Sequence, residues 1–164
     1  MKFNFPIIII DEDYRSDNSS GLGIRVLAKC IEKEDFEVIG VTSYIDLSSF
    51  AQQQSRASAF ILAIDDEEFI EENPKALASL RKFVEEIRYR NEEIPIFLHG
   101  ETRTSRHIPN SILKELNGFI HMYEDTPEFV AKFIVREAKN YLDSLAPPFF
   151  KALTHYAMDG SYSW

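Results

Sequence analysis

An α/β fold with a doubly wound, five-stranded parallel sheet is predicted by three features of the sequence. Short apolar runs recur along the chain at Pro6 to Ile10, Phe36 to Val41, Ala59 to Ile64, Ile94 to Leu98 and Phe119 to Met122. Several of them, such as IIII and AFILAI, are continuous rather than alternating, the pattern of strands buried on both faces. Between the runs, apolar residues return at helical spacing, and strands alternating with helices give a parallel sheet covered on both sides.

The first run, Pro6 to Ile10, ends in Asp11-Glu12-Asp13, and after the polar turn DEDYRSDNSSG the residues Ile24, Leu27, Cys30 and Ile31 mark a helix. With Phe36 to Val41 this completes one βαβ unit. Asp46 to Arg56 is expected to form a short helix, and Asn73-Pro74 supplies an N-cap and first helical position for Leu77, Leu80, Phe83, Val84 and Ile87. A short helix is expected near Ile112 to Leu116. Thr126-Pro127-Glu128 opens the last long helix, with Val130, Phe133, Ile134, Tyr141, Leu142 and Leu145 on one face. Five strands and five helices in this order predict a flavodoxin-like or receiver-like strand order 2-1-3-4-5. The boundary falls near Ala146: residues 1–145 form the sheet domain, and 146–164 a helical connector set off by Pro147-Pro148.

The chain has 164 residues, 45% hydrophobic and 13% aromatic, enough for one full core. Its net charge is −9, with 27 acidic residues against 18 Lys and Arg, which argues against a nucleic-acid partner. The apolar run near the N-terminus is too short for a signal sequence or a membrane span, so a soluble, cytoplasmic protein is expected. Cys30, on the apolar side of its helix, is expected to pack in the core.

Doubly wound sheets hold ligands at the carboxyl ends of their strands, and those loops are acidic here. Asp11 and Asp13 follow the first strand and Asp65 and Asp66 the third, similar to the Mg²⁺-holding acidic pocket of response-regulator receivers. Receivers place a lysine after the fifth strand to offset phosphoryl charge. The matching stretch, FIHMYED, has none and adds two carboxylates. A solvated acidic rim or a subunit contact is therefore favoured over a phosphoaspartate at Asp65. Gly21 and Gly23 are expected to serve a tight turn and close helix–sheet packing, since neighbouring acids repel a phosphate. Arg103, Arg106 and His107 after the fourth strand form one basic cluster, read as a solvated loop or, second, as an anion or subunit contact. His99, His121 and His155 are isolated from one another in the pattern, and no metal-ligand spacing, nucleotide fingerprint or nucleophile elbow is present.

The segments EIPIFL (Glu93 to Leu98), FIHMYEDTPEF (Phe119 to Phe129) and LAPPFFKALTHYAMDGSYSW (Leu145 to Trp164) resemble the N-terminal wing domain of the bacterial Orn/Lys/Arg decarboxylases. The EDTPEF segment and the YSW end look more similar to the acid-inducible arginine enzymes than to the lysine ones. This resemblance implies a receiver-like fold without phosphotransfer that helps dimers associate into rings, commonly decamers. It implies a parent enzyme dependent on pyridoxal 5'-phosphate, acting in amino-acid metabolism, acid resistance or polyamine supply. The cofactor and its Schiff-base lysine are expected beyond Trp164, so no catalytic or cofactor-binding residue is carried over and this stretch alone is expected to be inactive. Some lysine members bind a guanosine tetraphosphate alarmone through a wing arginine. The corresponding segment, Leu113-Lys114-Glu115-Leu116, lacks one. The competing reading is an atypical receiver that binds a signalling partner.

Overall fold

The computed structural model describes residues 3–42, 57–64, 74–101, 108–121 and 124–145. Five strands, β1 (Phe3–Ile10), β2 (Phe36–Val41), β3 (Ala59–Ala63), β4 (Ile96–Gly100) and β5 (Gly118–His121), form one parallel sheet in the order β2-β1-β3-β4-β5. That is the predicted order. Four helices among the described residues connect them: α1 (Ser19–Lys33), α2 (Pro74–Arg90), α3 (Asn110–Leu113) and α4 (Pro127–Leu145). The helix expected over Asp46 to Arg56, the cap at Asn73 and the connector lie outside the described residues.

β1 is central, and Ile7 to Ile10 are each 2% exposed or less, as a continuous apolar run requires when both faces are covered. Each such side chain contributes about 1.5–3 kcal/mol of gross burial energy. The strand begins earlier than the pattern suggests. Pro6, which has no N–H to give the ladder, sits where the register with β2 shifts, and its carbonyl accepts from the Ser58 amide at 2.9 Å. The buried Ser58 hydroxyl donates to the Phe5 carbonyl at 2.9 Å, which ties the entry of β3 to β1.

The two layers are set by side-chain alternation. Phe60 of β3 meets Phe83 of α2 edge-on, with ring centroids 6.3 Å apart, and this defines one face. On the other face α1 packs against α4, and Phe97 of β4 meets Phe133 of α4 at 5.9 Å. Cys30 is buried in this core. Leu145 departs from expectation. It sits in the final position of α4 and is 49% exposed, because the stripe of buried residues ends with Tyr141 and Leu142.

One arginine holds the far end of the sheet together. Arg88 of α2 donates through Nε and Nη2 to the Glu115 carbonyl at 3.0 and 2.6 Å and through Nη1 to the Ile94 carbonyl at 2.7 Å. Asn117 continues the tie, with its N–H on the Ile96 carbonyl at 2.7 Å and its Oδ1 accepting from the Ile96 amide at 2.9 Å. Replacing Arg88 with Met keeps the apolar stem but strips these carbonyls of charged donors. We expect a loss of about 2–3 kcal/mol, read as a lower urea midpoint at unchanged slope.

Candidate functional site

At the carboxyl edge of β1, the chain turns through Asp11 to Asn18 into α1. Asp11 is 4% exposed, which corrects its reading as part of a solvated rim. Its amide donates to the Val41 carbonyl at 2.9 Å and its Oδ1 accepts from the Asp13 amide at 2.8 Å, so the carboxylate organises its own turn. Asp13 is half-buried and accepts from the Ser16 hydroxyl at 3.4 Å. Arg25, one turn into α1, reaches back to the Tyr14 and Ser16 carbonyls at 2.6 and 2.8 Å. Burial first, and the Glu32 carboxylate second, raise the Tyr14 phenol above its ordinary pKa, and its ring covers Gly40.

The helix start explains one glycine and not the other. Asn18 caps α1 by accepting from the Gly21 amide at 2.8 Å. A Cβ on Gly21 would stand 2.3 Å from the carbonyl oxygens of both Asp13 and Ser16, so only glycine fits. Gly23 was expected to serve close packing as well, yet a Cβ there would meet nothing within 4 Å. Asp65, Asp66, Arg103, Arg106 and His107 lie outside the described residues. Among the described residues no group of three or more His, Cys, Asp or Glu could hold a metal ion.

A concave site does form, on the α1–α4 side of the carboxyl edge. A cavity of about 280 Å³ is lined by Gly23, Val26 and Leu27 of α1, His99 and Ile120 of β4 and β5, and Asp125 with Val130 at the start of α4. His99 is 6% exposed and shares a face with Phe97, two residues earlier, so its ring points toward α4. Burial pushes its pKa down to about 4, with the Asp125 carboxylate pulling weakly the other way. His121 borders the same cavity, stacks obliquely on Phe119 at 5.0 Å, and gives its amide to Asp125 Oδ2 at 2.8 Å. The two histidines reach the same edge of the sheet, but on opposite faces: His99 shares the side of its partner Ile120, and the His121 ring lies on the Phe119 side. They come from the ends of neighbouring parallel strands, where His99 stands opposite Ile120. A parallel register of β4 and β5, which strand order 2-1-3-4-5 already demands, was the signal that could have placed both at this edge.

On the opposite face, a shallower groove of about 670 Å³ runs between α2 and the segment after α3. Paired charges line it, including Arg81, Glu85, Lys114 and Glu115, and Arg81 donates to the Ser111 hydroxyl at 2.9 Å. Leu113 to Leu116 contains no arginine, and its one acid, Glu115, follows Lys114.

This sheet order, with helices on both faces, defines a doubly wound, receiver-like domain. Solved receivers share it: a Clostridium thermocellum receiver domain aligns over 83% of this chain and 95% of its own with a TM-score of 0.58, at 12% identity. A Vibrio parahaemolyticus receiver domain gives a TM-score of 0.60 over 88% of this chain and 98% of its own, also at 12% identity. Residues 19–141 match the family model described as Orn/Lys/Arg decarboxylase, N-terminal domain, and the chain belongs to that family. Lysine decarboxylase LdcA of Pseudomonas aeruginosa is 30% identical over 163 residues, 98% of this chain and 21% of that protein. Its solved structure superposes over 99% of this chain and 22% of its own with a TM-score of 0.79. The biodegradative arginine decarboxylase of Escherichia coli is 26% identical over 160 residues, 96% of this chain and 20% of that protein. The chain therefore spans about one fifth of the length of the curated relatives it matches.

The described residues do not fit pyridoxal phosphate. Among them no lysine lines the cavity, and a phosphate placed there would meet Asp125. Nor is any described helix long and apolar enough to cross a membrane.

Proposed function

We propose that residues 1–145 are the wing domain of a cytoplasmic, pyridoxal phosphate-dependent decarboxylase of a basic amino acid, and that 146–164 lead into its catalytic domain. The match of residues 19–141 to the N-terminal domain of that family carries this reading. Bound outside these residues, the cofactor supplies the electron sink that decarboxylation needs. Arginine stands first as substrate on the EDTPEF and YSW segments. Lysine is the second reading, favoured by the 30% identity to LdcA against 26% to the arginine enzyme.

The domain's own work, in this proposal, is to join dimers into rings. The exposed apolar side chains Leu22 (51%), Val26 (47%) and Phe129 (74%), on the two helices that pack together, support a contact surface there. The net charge of −9 makes the contact pH-dependent. Like-charged wings repel at neutral pH, and repulsion weakens as the pH falls toward carboxylate pKa values near 4–5. Sedimentation of the complete gene product from pH 8 to pH 5 should show dimers giving way to larger rings. One unchanged species throughout would remove the assembly role.

The competing reading, a pseudo-receiver signalling module acting around Asp65, is favoured by the receiver likeness. Beryllofluoride with Mg²⁺ would then shift the amide resonances of Asp11, Asp13 and Asp65. The decarboxylase reading expects no shift.

A further inference from the structure

The cavity between α1 and α4 carries features that neither packing nor ring assembly requires. Glycine inside a helix costs about 1 kcal/mol relative to alanine. At Gly21 the Asp13 and Ser16 carbonyls demand it, but at Gly23 no neighbour does. Gly23 lines the cavity, so any side chain there would enter it. His99, on the cavity floor, is 6% exposed. Burial keeps that ring neutral at pH 7, so one of its nitrogens presents a lone pair.

Among the described residues, Asp125 is the one carboxylate that lines the cavity. Asp125 stands exposed at the rim, fixed by the His121 amide on its Oδ2, and among the described residues no lysine or arginine lines the cavity. Leu27, Ile120 and Val130 supply apolar walls, with Val26 nearer the solvent. An anion would be repelled by Asp125, and a cation would be attracted to it. A volume of about 280 Å³ admits a small molecule and excludes a nucleotide.

We infer that this cavity is a binding site for a small primary aliphatic amine, its ammonium held between the Asp125 carboxylate and the His99 lone pair and its alkyl chain lying on Leu27, Ile120 and Val130. This inference goes beyond the decarboxylase reading and does not depend on it. The failure of either leaves the other standing.

The test uses the full chain at pH 7 with n-pentylamine as the probe, and 1-pentanol and pentanoate as controls. Titration calorimetry reads affinity, and the His99 ring resonances report where the probe sits. Pentylamine should shift those resonances and bind at least tenfold more tightly than pentanol, with pentanoate weakest. Asp125→Asn, which keeps an oxygen for the His121 amide, should erase the tenfold preference. Gly23→Leu should abolish binding of pentylamine and pentanol while the melting temperature holds or rises, which separates a filled cavity from a damaged fold. Equal affinity for pentanol and pentylamine, binding that survives Gly23→Leu, or the absence of any His99 response to pentylamine would each overturn the proposal.

Discussion

Gly21→Ala is expected to destabilise the domain by about 3 kcal/mol or more, although helix propensity alone predicts a gain of about 1 kcal/mol. The added methyl would lie 2.3 Å from two backbone oxygens, those of Asp13 and Ser16, and neither can swing aside as a side-chain tip could. Relief requires moving the turn. That movement would break the bond from the Gly21 amide to Asn18 and loosen the carbonyls of Tyr14 and Ser16 that Arg25 holds. Gly23→Ala, two residues along the same helix, is the internal control. Its methyl meets nothing within 4 Å, so the propensity term stands alone and the variant should gain about 0.5–1 kcal/mol. Urea titrations of the two variants beside the parent should therefore give midpoints on opposite sides of it. Two shifts of the same sign would contradict the geometry assigned to the turn.

Acid should cost this domain stability through His99, and His99→Leu should remove that part of the cost. The folded-state pKa is about 4 and the unfolded value about 6.5. Between those values the unfolded chain binds a proton that the folded chain refuses, so stability rises with pH across this window and falls on acidification. The loss amounts to about 2 kcal/mol by pH 5 and approaches about 3 kcal/mol below pH 4. Nearby charge modulates it: the Asp125 carboxylate stabilises the protonated ring, so Asp125→Asn should lower the His99 pKa further and steepen the loss at the acid end. Denaturant titrations of the parent and His99→Leu at pH 7, 5 and 4 isolate the effect as a difference of differences, since the other carboxylates are common to both. Parallel pH profiles would show that the ring titrates as though in water. The proposed rings, forming as pH falls toward 5, would offset this loss by mass action.

The sheet was legible because burying a strand on both faces leaves little freedom in composition. Ile7 to Ile10 and Ala59 to Ala63 could be assigned without any partner in view, and helices alternating with parallel strands admit few orders. Ends were less legible. Pro6 lies inside β1 because a register shift accommodates its missing N–H, and Leu145 is exposed because α4 ends there, and neither fact is local in sequence. The site was the least legible part. Asp11 looked like one acid in a run of acids, whereas its oxygen binds a backbone amide two residues on. Gly21 and Gly23 are two residues apart and chemically identical, and only the path of the preceding turn separates their roles. His99 and His121 reach one edge of the sheet through strand register rather than spacing. The family, by contrast, was carried by continuous segments such as FIHMYEDTPEF, which need no three-dimensional context, and the family match confirms it.

The most direct measurement is the release of labelled CO₂ from carboxyl-labelled arginine, lysine and ornithine by the product of the complete gene, supplied with pyridoxal phosphate. The account predicts release from at least one of the three, arginine before lysine, and none without the cofactor. Faster release from lysine would keep the account and reverse the order of substrates. Release from none of them, by a folded protein carrying the cofactor, would contradict it.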